Sequence, residues 1–399
     1  MPPGRWPIRL VVFALNALMK TAPGPQATSL HGRYIVLLAV TLWLAAPRAS
    51  AAQPPPGGHG DQAPAAVEYP SFHLSGFADV NFASQKASDG ARGFTEGQFV
   101  LHLASALSPR VHFFGEISFS PRADAGTGTP AATGYNAEIE RAIIRFDRSD
   151  QLKVSFGRYH TPVNWWNTAY HHGQWLQTTI NRPEMIQFGG RFLPVHFIGA
   201  LVEGSVPASG LNIGYQGGVG NGRGNVISRG GDAGDNNARP AWLMNVFSKP
   251  DRAYGLQVGA SLYFDRVSAP ARPEFDERIV AAHAVWQHED PEVIAEIANV
   301  HHSQVGGSVT ASNLAYYIQT AYRLPIGTRL WKPYYRFEHI DIETTDPVFA
   351  GVPSLDGSTV GVRYDVSTYA AIKGEFRARR RVDGQPFTNG WFTQVAFTF

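Results

Sequence analysis

Phe72-His73-Leu74-Ser75-Gly76-Phe77-Ala78-Asp79-Val80-Asn81-Phe82 alternates apolar and polar residues. Side chains along a strand point to opposite faces in turn. Phe72, Leu74, Ala78, Val80 and Phe82 therefore share one face, and His73, Ser75, Asp79 and Asn81 share the other. The same pattern returns at Phe94–Leu107, Val111–Ser120, Asn136–Asp147, Leu152–Tyr159, Val195–Val206, Leu211–Gly220 and Pro240–Phe247. It continues at Tyr254–Asp265, Glu277–His288, Glu292–His302, Asn313–Leu324, Trp331–Ile340, Ser358–Val366, Tyr369–Arg379 and Gly390–Phe399. From Phe72 onward no helical period competes with it. Each segment has roughly the ten residues that a tilted strand needs to cross a bilayer. Met185–Arg191 offers one further short run, which as a strand would raise the count from sixteen to eighteen.

The connections alternate short and long. Ser108-Pro109, Arg148–Asp150, Pro207–Gly210, Pro250-Asp251, Asp290-Pro291, Pro325–Thr328 and Ser367-Thr368 are tight, while 84–93, 121–135, 160–194, 221–239, 266–276, 303–312, 341–357 and 380–389 are long. Outer-membrane barrels alternate short periplasmic turns with longer outer loops. Aromatic residues support that orientation: Tyr322, Trp286, Tyr364 and Phe146 fall near the ends of returning strands, and Tyr254 and Trp331 near the starts of outgoing ones. All six belong to one rim, and Trp242 and Trp391 to the other, as an interfacial girdle requires. The expected fold is an all-β transmembrane antiparallel barrel spanning 71–399, in the outer membrane of a Gram-negative bacterium.

The N-terminal region reads as an export signal. Arg33 supplies positive charge, Tyr34–Leu44 an apolar run too short to span a membrane as a helix, and Ala49-Ser50-Ala51 a small-residue cleavage site. Residues 1–52 are expected to be removed, and Met19-Lys20 makes a better start than Met1, so 1–18 read as a mis-assigned start. The Pro/Gly/Ala-rich stretch 53–70 reads as a disordered periplasmic leader. Among 399 residues there are 24 Phe, 15 Tyr, 9 Trp, 41 Gly and no Cys, which excludes disulfides, thiolate metal sites and a Cys-linked lipid anchor. The net charge of +2 gives no basis for nucleic-acid binding.

With apolar faces toward lipid, the opposite faces line a lumen. Lys332, Arg336, Arg363, Lys373, Arg377 and Arg379 lie on three consecutive strands as a mainly basic wall, and Arg141 and Arg145 add charge elsewhere. Such a wall attracts anions, unless Glu338, Asp365 and Glu375 pair with it and merely brace the barrel. The third outer loop, 160–194, is too long for a mere connector. It carries His160, Trp165, Trp166, Tyr170, His171, His172, Trp175 and Arg182. Folding inward would bury its aromatics and narrow the pore, so it is the expected constriction loop. Trp165, Trp166, Tyr170 and Trp175 as a sugar-stacking track is an alternative. The three histidines are possible zinc or copper ligands. Adjacent histidines seldom share an ion, however, and no nearby acid or Cys completes a set, so neither metal nor cofactor is expected.

Enzyme chemistry finds little support. His288-Glu289-Asp290-Pro291-Glu292 lacks the second His of a zincin motif, and Gly218-Val219-Gly220-Asn221-Gly222 enters a loop with no following helix. Gly204-Ser205-Val206 has no nucleophile-elbow context.

In the last strand, Trp391, Val395, Phe397 and the terminal Phe399 share the lipid face. This resembles the C-terminal signal read by the barrel-assembly machinery, which implies that machinery as a partner. Ala137–Phe146, Phe156-Gly157-Arg158-Tyr159-His160-Thr161-Pro162 and Gly214–Gly222 together resemble the phosphate-selective (polyphosphate-selective) porins across roughly 72–399. The resemblance implies a homotrimer that passes small anions. The chain departs from that pattern in having no run of closely spaced Arg or Lys within 160–194. The expected function is passive diffusion of small hydrophilic solutes or ions with mild anion preference. The alternatives are a channel specific for a sugar or phosphate-like anion, a plugged structural barrel, or a rim-site enzyme.

Overall fold

The computed structural model describes residues 68–85, 92–122, 134–187, 191–224, 227, 230–268, 273–380 and 387–399. The expected export segment and most of the leader lie outside the described residues. The sixteen alternating segments are all strands: β1 (Ser71–Gln85), β2 (Arg92–Ala106), β3 (Val111–Pro121), β4 (Tyr135–Ser149), β5 (Leu152–His160), β6 (His196–Val206), β7 (Ile213–Asn221) and β8 (Ala241–Ser248) form one half. β9 (Leu256–Val267), β10 (Phe275–Gln287), β11 (Glu292–Gln304), β12 (Thr310–Ala321), β13 (Trp331–Asp341), β14 (Leu355–Ser367), β15 (Ala370–Arg380) and β16 (Thr388–Thr398) form the other. Each pairs antiparallel with its sequence neighbours, and β1 pairs with β16 to close the barrel. At the seam Gly76 N donates to Phe399 O at 2.8 Å and Phe399 N donates to Gly76 O at 3.1 Å. Closure matters because an open edge in hydrocarbon leaves backbone groups unsatisfied, at several kcal/mol each.

The outer face is apolar. Phe72, Leu74, Val80, Phe156, Val202, Met244, Val360, Ile372 and Val395 are all exposed on it, an arrangement that water would penalise and a bilayer rewards. Trp331 faces Tyr364 across neighbouring strands with ring centroids 4.6 Å apart, and Tyr254 is 82% exposed, as expected of one aromatic rim. At the other rim Trp242 stacks on Phe264 at 4.0 Å and Trp391 packs against Phe376. Trp391, Val395, Phe397 and Phe399 all point outward.

Three findings depart from the sequence reading. The described part of Met185–Arg191 adds no strand, because Glu184–Ile186 is a short 3-10 turn inside the third loop and the barrel closes at sixteen; residues 188–190 lie outside the described residues. The inner face is not polar all round. Ile279, Val285, Ile294, Ala298, Val300 and Tyr317 on β10–β12 point inward and pack with loop residues into an apolar core within the barrel. Alternation also fails at one place in β4, where the ladder pairs Glu116 with Arg141 and then Ile117 with Ile139. Glu140 is the extra residue of this β-bulge, and it turns inward beside Arg141 while Ile139 stays exposed.

Candidate functional site

The third loop, 161–195, starts from the outer end of β5 and runs across the lumen to the opposite wall. Its first anchor is on the β9–β11 side. Asn164 N donates to Ser261 Oγ at 2.9 Å, and Trp165 N and Trp166 N both donate to Glu296 Oε1, at 2.8 and 2.7 Å. A single helical turn follows, α1 (Trp166–Tyr170). Trp165 and Trp166 are buried, and Tyr170 meets both edge-on. The edge-on geometry suits the negative face and positive edge of aromatic rings. Burial pushes the Tyr170 hydroxyl pKa up.

The loop then lies along the basic wall. Arg363 donates to the carbonyls of Trp175 and Gln177, at 2.6 and 2.9 Å, and Lys373 to those of Gln174 and Thr179. Arg336 donates to Thr179 Oγ1 at 3.0 Å, to Asn181 O at 2.7 Å and to Arg182 O at 3.2 Å. Carboxylates of the same wall bind loop amides in return. Ile180 N donates to Glu375 Oε2 at 3.0 Å and Glu184 N to Glu338 Oε2 at 2.8 Å. The wall is also paired within itself through Arg336–Glu338, Arg377–Glu375 and Arg363–Asp365, to Glu292 of β11 through Lys332, and to the loop through Arg379–Glu184. Lys332, Arg336, Arg363, Lys373 and Arg377 are consequently buried. Of the two readings the sequence left open, pairing with Glu338, Asp365 and Glu375 is present here, and loop carbonyls engage Arg336, Arg363 and Lys373 besides. Unpaired buried charge is very costly, and main-chain carbonyls supply acceptors without adding further charge. Arg141 and Arg145 stand apart from this wall, bound to Glu116 and to Asp147.

The loop's return is held by residues that sequence reading passed over. Arg223 donates to Phe192 O at 2.5 Å and to Glu277 Oε1 at 2.9 Å. Phe192 stacks on Phe349 of the outer loop that follows β13. In that outer loop Asp346 pairs with His302 Nδ1 at 2.7 Å and accepts from Asn313 Nδ2 at 2.6 Å. Burial alone would push the Asp346 carboxyl up, but these bonds and the His302 charge hold it below the usual carboxylate range. Their partners lie far away in sequence, so no local signal marks them.

The loop histidines gather on the other side, beside β4 and β5. His160, His171 and His172 are buried together with Glu140, and one ligand atom from each lies within 4.8 Å of all the others. His160 and His171 have ring centroids 3.9 Å apart. Burial and the neighbouring His160 hold His171 well below the usual imidazole range, so it is neutral. Burial likewise pushes Arg182 down to about 9; its guanidinium donates to His171 O and lies over the Trp166 ring. His196 Nε2 sits 2.8 Å from Glu140 Oε2. Glu140 and His196 are the members of this cluster that the sequence reading missed. Strand alternation places Glu140 toward lipid, and only the bulge turns it inward. Below the cluster a cavity of 740 Å³ opens among the strands, lined by Arg141, Arg145, Ser155, His160 and Glu203 and reaching Ser71 and His73 at the periplasmic end of β1.

No protein-family model and no curated protein matches the chain. Among solved structures it resembles the outer-membrane protein OmpT of Vibrio cholerae in a trimer form, at 12% identity and a TM-score of 0.55, covering 83% of this chain and 100% of that one. It resembles OmpF of Salmonella typhi in complex with daunomycin at 12% identity and 0.56, covering 82% and 97%. It resembles the outer-membrane channel DcaP of Acinetobacter baumannii at 13% and 0.54, covering 83% and 98%. At such identities the likeness is one of fold. Together with the closed barrel and its apolar outer band, it defines the class: a sixteen-stranded bacterial outer-membrane β-barrel of porin architecture, with the third loop folded inside.

Proposed function

We propose that this protein is a porin, a non-enzymatic channel through which small hydrophilic solutes or ions cross the outer membrane by diffusion, with the third loop as its constriction. The observation that carries this reading is the inward third loop spanning a charged lumen, above a cavity that reaches the periplasmic rim. The donors of Arg336, Arg363 and Lys373 are engaged by loop carbonyls. That argues for at most weak anion preference and against a phosphate-selective track along this wall. We further propose a homotrimer, assembled after removal of residues 1–52 and recognised by the barrel-assembly machinery through the last strand. Single-channel recording of the purified protein in a planar bilayer tests the reading. Steady conductance steps with a small reversal potential in a salt gradient are expected. A folded protein that passes no current would overturn it in favour of a plugged barrel, which the apolar core packed around the loop would then explain.

A further inference from the structure

We propose that Glu140, His160, His171 and His172 form a site for one divalent transition-metal ion of the zinc class, which pins the third loop to the β4–β5 wall. Three imidazoles and one carboxylate are a donor set that zinc takes in tetrahedral geometry. Four donors at zinc bond lengths sit about 3.3 Å apart. The observed spread of up to 4.8 Å therefore closes to that tetrahedron with small side-chain movements.

Hydrogen bonding around the cluster leaves the donor atoms ready. Asn167 Nδ2 donates to Thr161 O and to Val195 O, both at 3.0 Å. That fixes the amide so that Oδ1 accepts, and His171 Nδ1 lies 2.7 Å from it. His171 thus carries its proton on Nδ1 and presents the Nε2 lone pair. His172 Nδ1 lies 3.2 Å from Gln98 Oε1 and its Nε2 lies 3.3 Å from Glu140 Oε2, a pair that a shared ion would bridge. His160 Nε2 is buried without a hydrogen bond, with Glu116 Oε2 3.5 Å away. For Glu140, Ser118 Oγ donates to Oε1 at 2.7 Å, leaving Oε2 turned toward the histidines. His196 plays another part. Arg158 lies 3.1 Å from its Nδ1 and is a donor only, so the His196 proton sits on Nε2 and points at Glu140. It is an outer partner that orients the carboxylate, a role such groups commonly fill around metal ligands.

Arg141 is bound by Glu116, and Arg158 divides its guanidinium between Asp232 at 3.1 Å and Glu140 at 3.8 Å. A bound cation would share the Glu140 carboxylate with Arg158 and His196. The cavity that reaches His160 provides a route for its entry. The site does not depend on the barrel conducting.

The test uses the folded full-length protein in detergent, stripped by chelator and dialysed against Zn2+, with bound metal counted by mass spectrometry and affinity read by competition with a chromophoric chelator. One Zn2+ per chain is expected, and none retained with Mg2+, which disfavours imidazole. His171→Gln and Glu140→Gln should each weaken binding by more than about a hundredfold, and His196→Gln by about 10- to 100-fold. His288→Gln and His339→Gln should leave it unchanged. Zn2+ should also slow hydrogen exchange at 161–173. Heat-dependent gel mobility reports whether each variant has folded. Should the variants fail to fold, Co2+ loaded into the unaltered protein decides, with intense visible bands of a tetrahedral site expected. Zinc content equal to that of a His160→Gln/His171→Gln double variant, or a weak octahedral cobalt spectrum, would overturn the site.

Discussion

Removing Arg336 should release the third loop without opening the barrel. The guanidinium is fully buried and serves Glu338, Thr179 Oγ1 and the carbonyls of Asn181 and Arg182. Arg336→Ala removes the ion-pair partner of Glu338 and one donor each from the Asn181 and Arg182 carbonyls, which keep Thr179 Oγ1 and Gln187 Nε2. Removing one partner of a buried ion pair typically costs roughly 3–5 kcal/mol. The lower end applies here, because Glu184 N still donates to Glu338 and lumenal water can refill the gap. About 3 kcal/mol raises the population of the detached loop by roughly a hundredfold. Hydrogen exchange reads this directly, since the Ile180 and Glu184 amides are bonded to wall carboxylates rather than to a strand. Both should exchange about a hundredfold faster, while amides of the β10–β11 ladder keep their protection. Arg336→Lys keeps the charge but not the fork and should fall in between. If a folded Arg336→Ala barrel showed loop exchange within about threefold of the parent, the wall would not be what holds the loop, and the argument from carbonyl capture would fail.

Deleting His171–Asn181 should raise single-channel conductance, because that segment crosses the lumen; an unchanged conductance counts against the constriction role. Val360→Arg places a charge on the lipid face of β14, where Val360 is 54% exposed, and should cost up to about 2–4 kcal/mol in a urea unfolding series in lipid vesicles, depending on its depth. Deleting Phe399 removes both backbone bonds to Gly76 and should lower the amount of folded barrel recovered from outer membranes, with normal recovery excluding a role for the terminal residue. In the turn after β10, the hydrogen bond from Arg323 holds Glu289 down to about 2. Its depressed value contributes stability that is complete above the ordinary glutamate value of 4.5 and fades as pH falls through about 2. Half the Glu289 side chain is exposed, so solvent screening keeps the effect small, and Glu289→Gln should slightly flatten the acid limb of the unfolding midpoint.

The barrel was legible in the sequence because each of its signals is local. A strand facing lipid on one side and the lumen on the other must alternate, as Phe72–Phe82 does, and the turn lengths fix which end is which. The sixteen strands follow from that with boundaries shifted by only a few residues, as where Ser358–Val366 becomes Leu355–Ser367. The loop's aromatic content also signalled burial, since Trp165 and Trp166 have no reason to crowd a solvated loop. The pairing of that loop with its walls was not legible. Arg336 meets Asn181 and Glu375 meets Ile180 across more than 150 residues, and nothing local to either stretch specifies the other. Inward charges that read equally as an anion-attracting wall or as bracing are therefore engaged by loop backbone at Arg336, Arg363 and Lys373. Apolar residues of β10–β12 form a core with the loop instead of facing water. Glu140 shows the limit most sharply. Period-two reasoning assigns faces only while the register is unbroken, and one extra residue opposite Glu116 turns its carboxylate from lipid to lumen. That displacement places Glu140 among histidines contributed by β5 and the third loop. The sequence by itself determined the barrel because strand faces are set by neighbours along the chain; the tertiary structure alone decided the site, because closure of the barrel is what brings its members together.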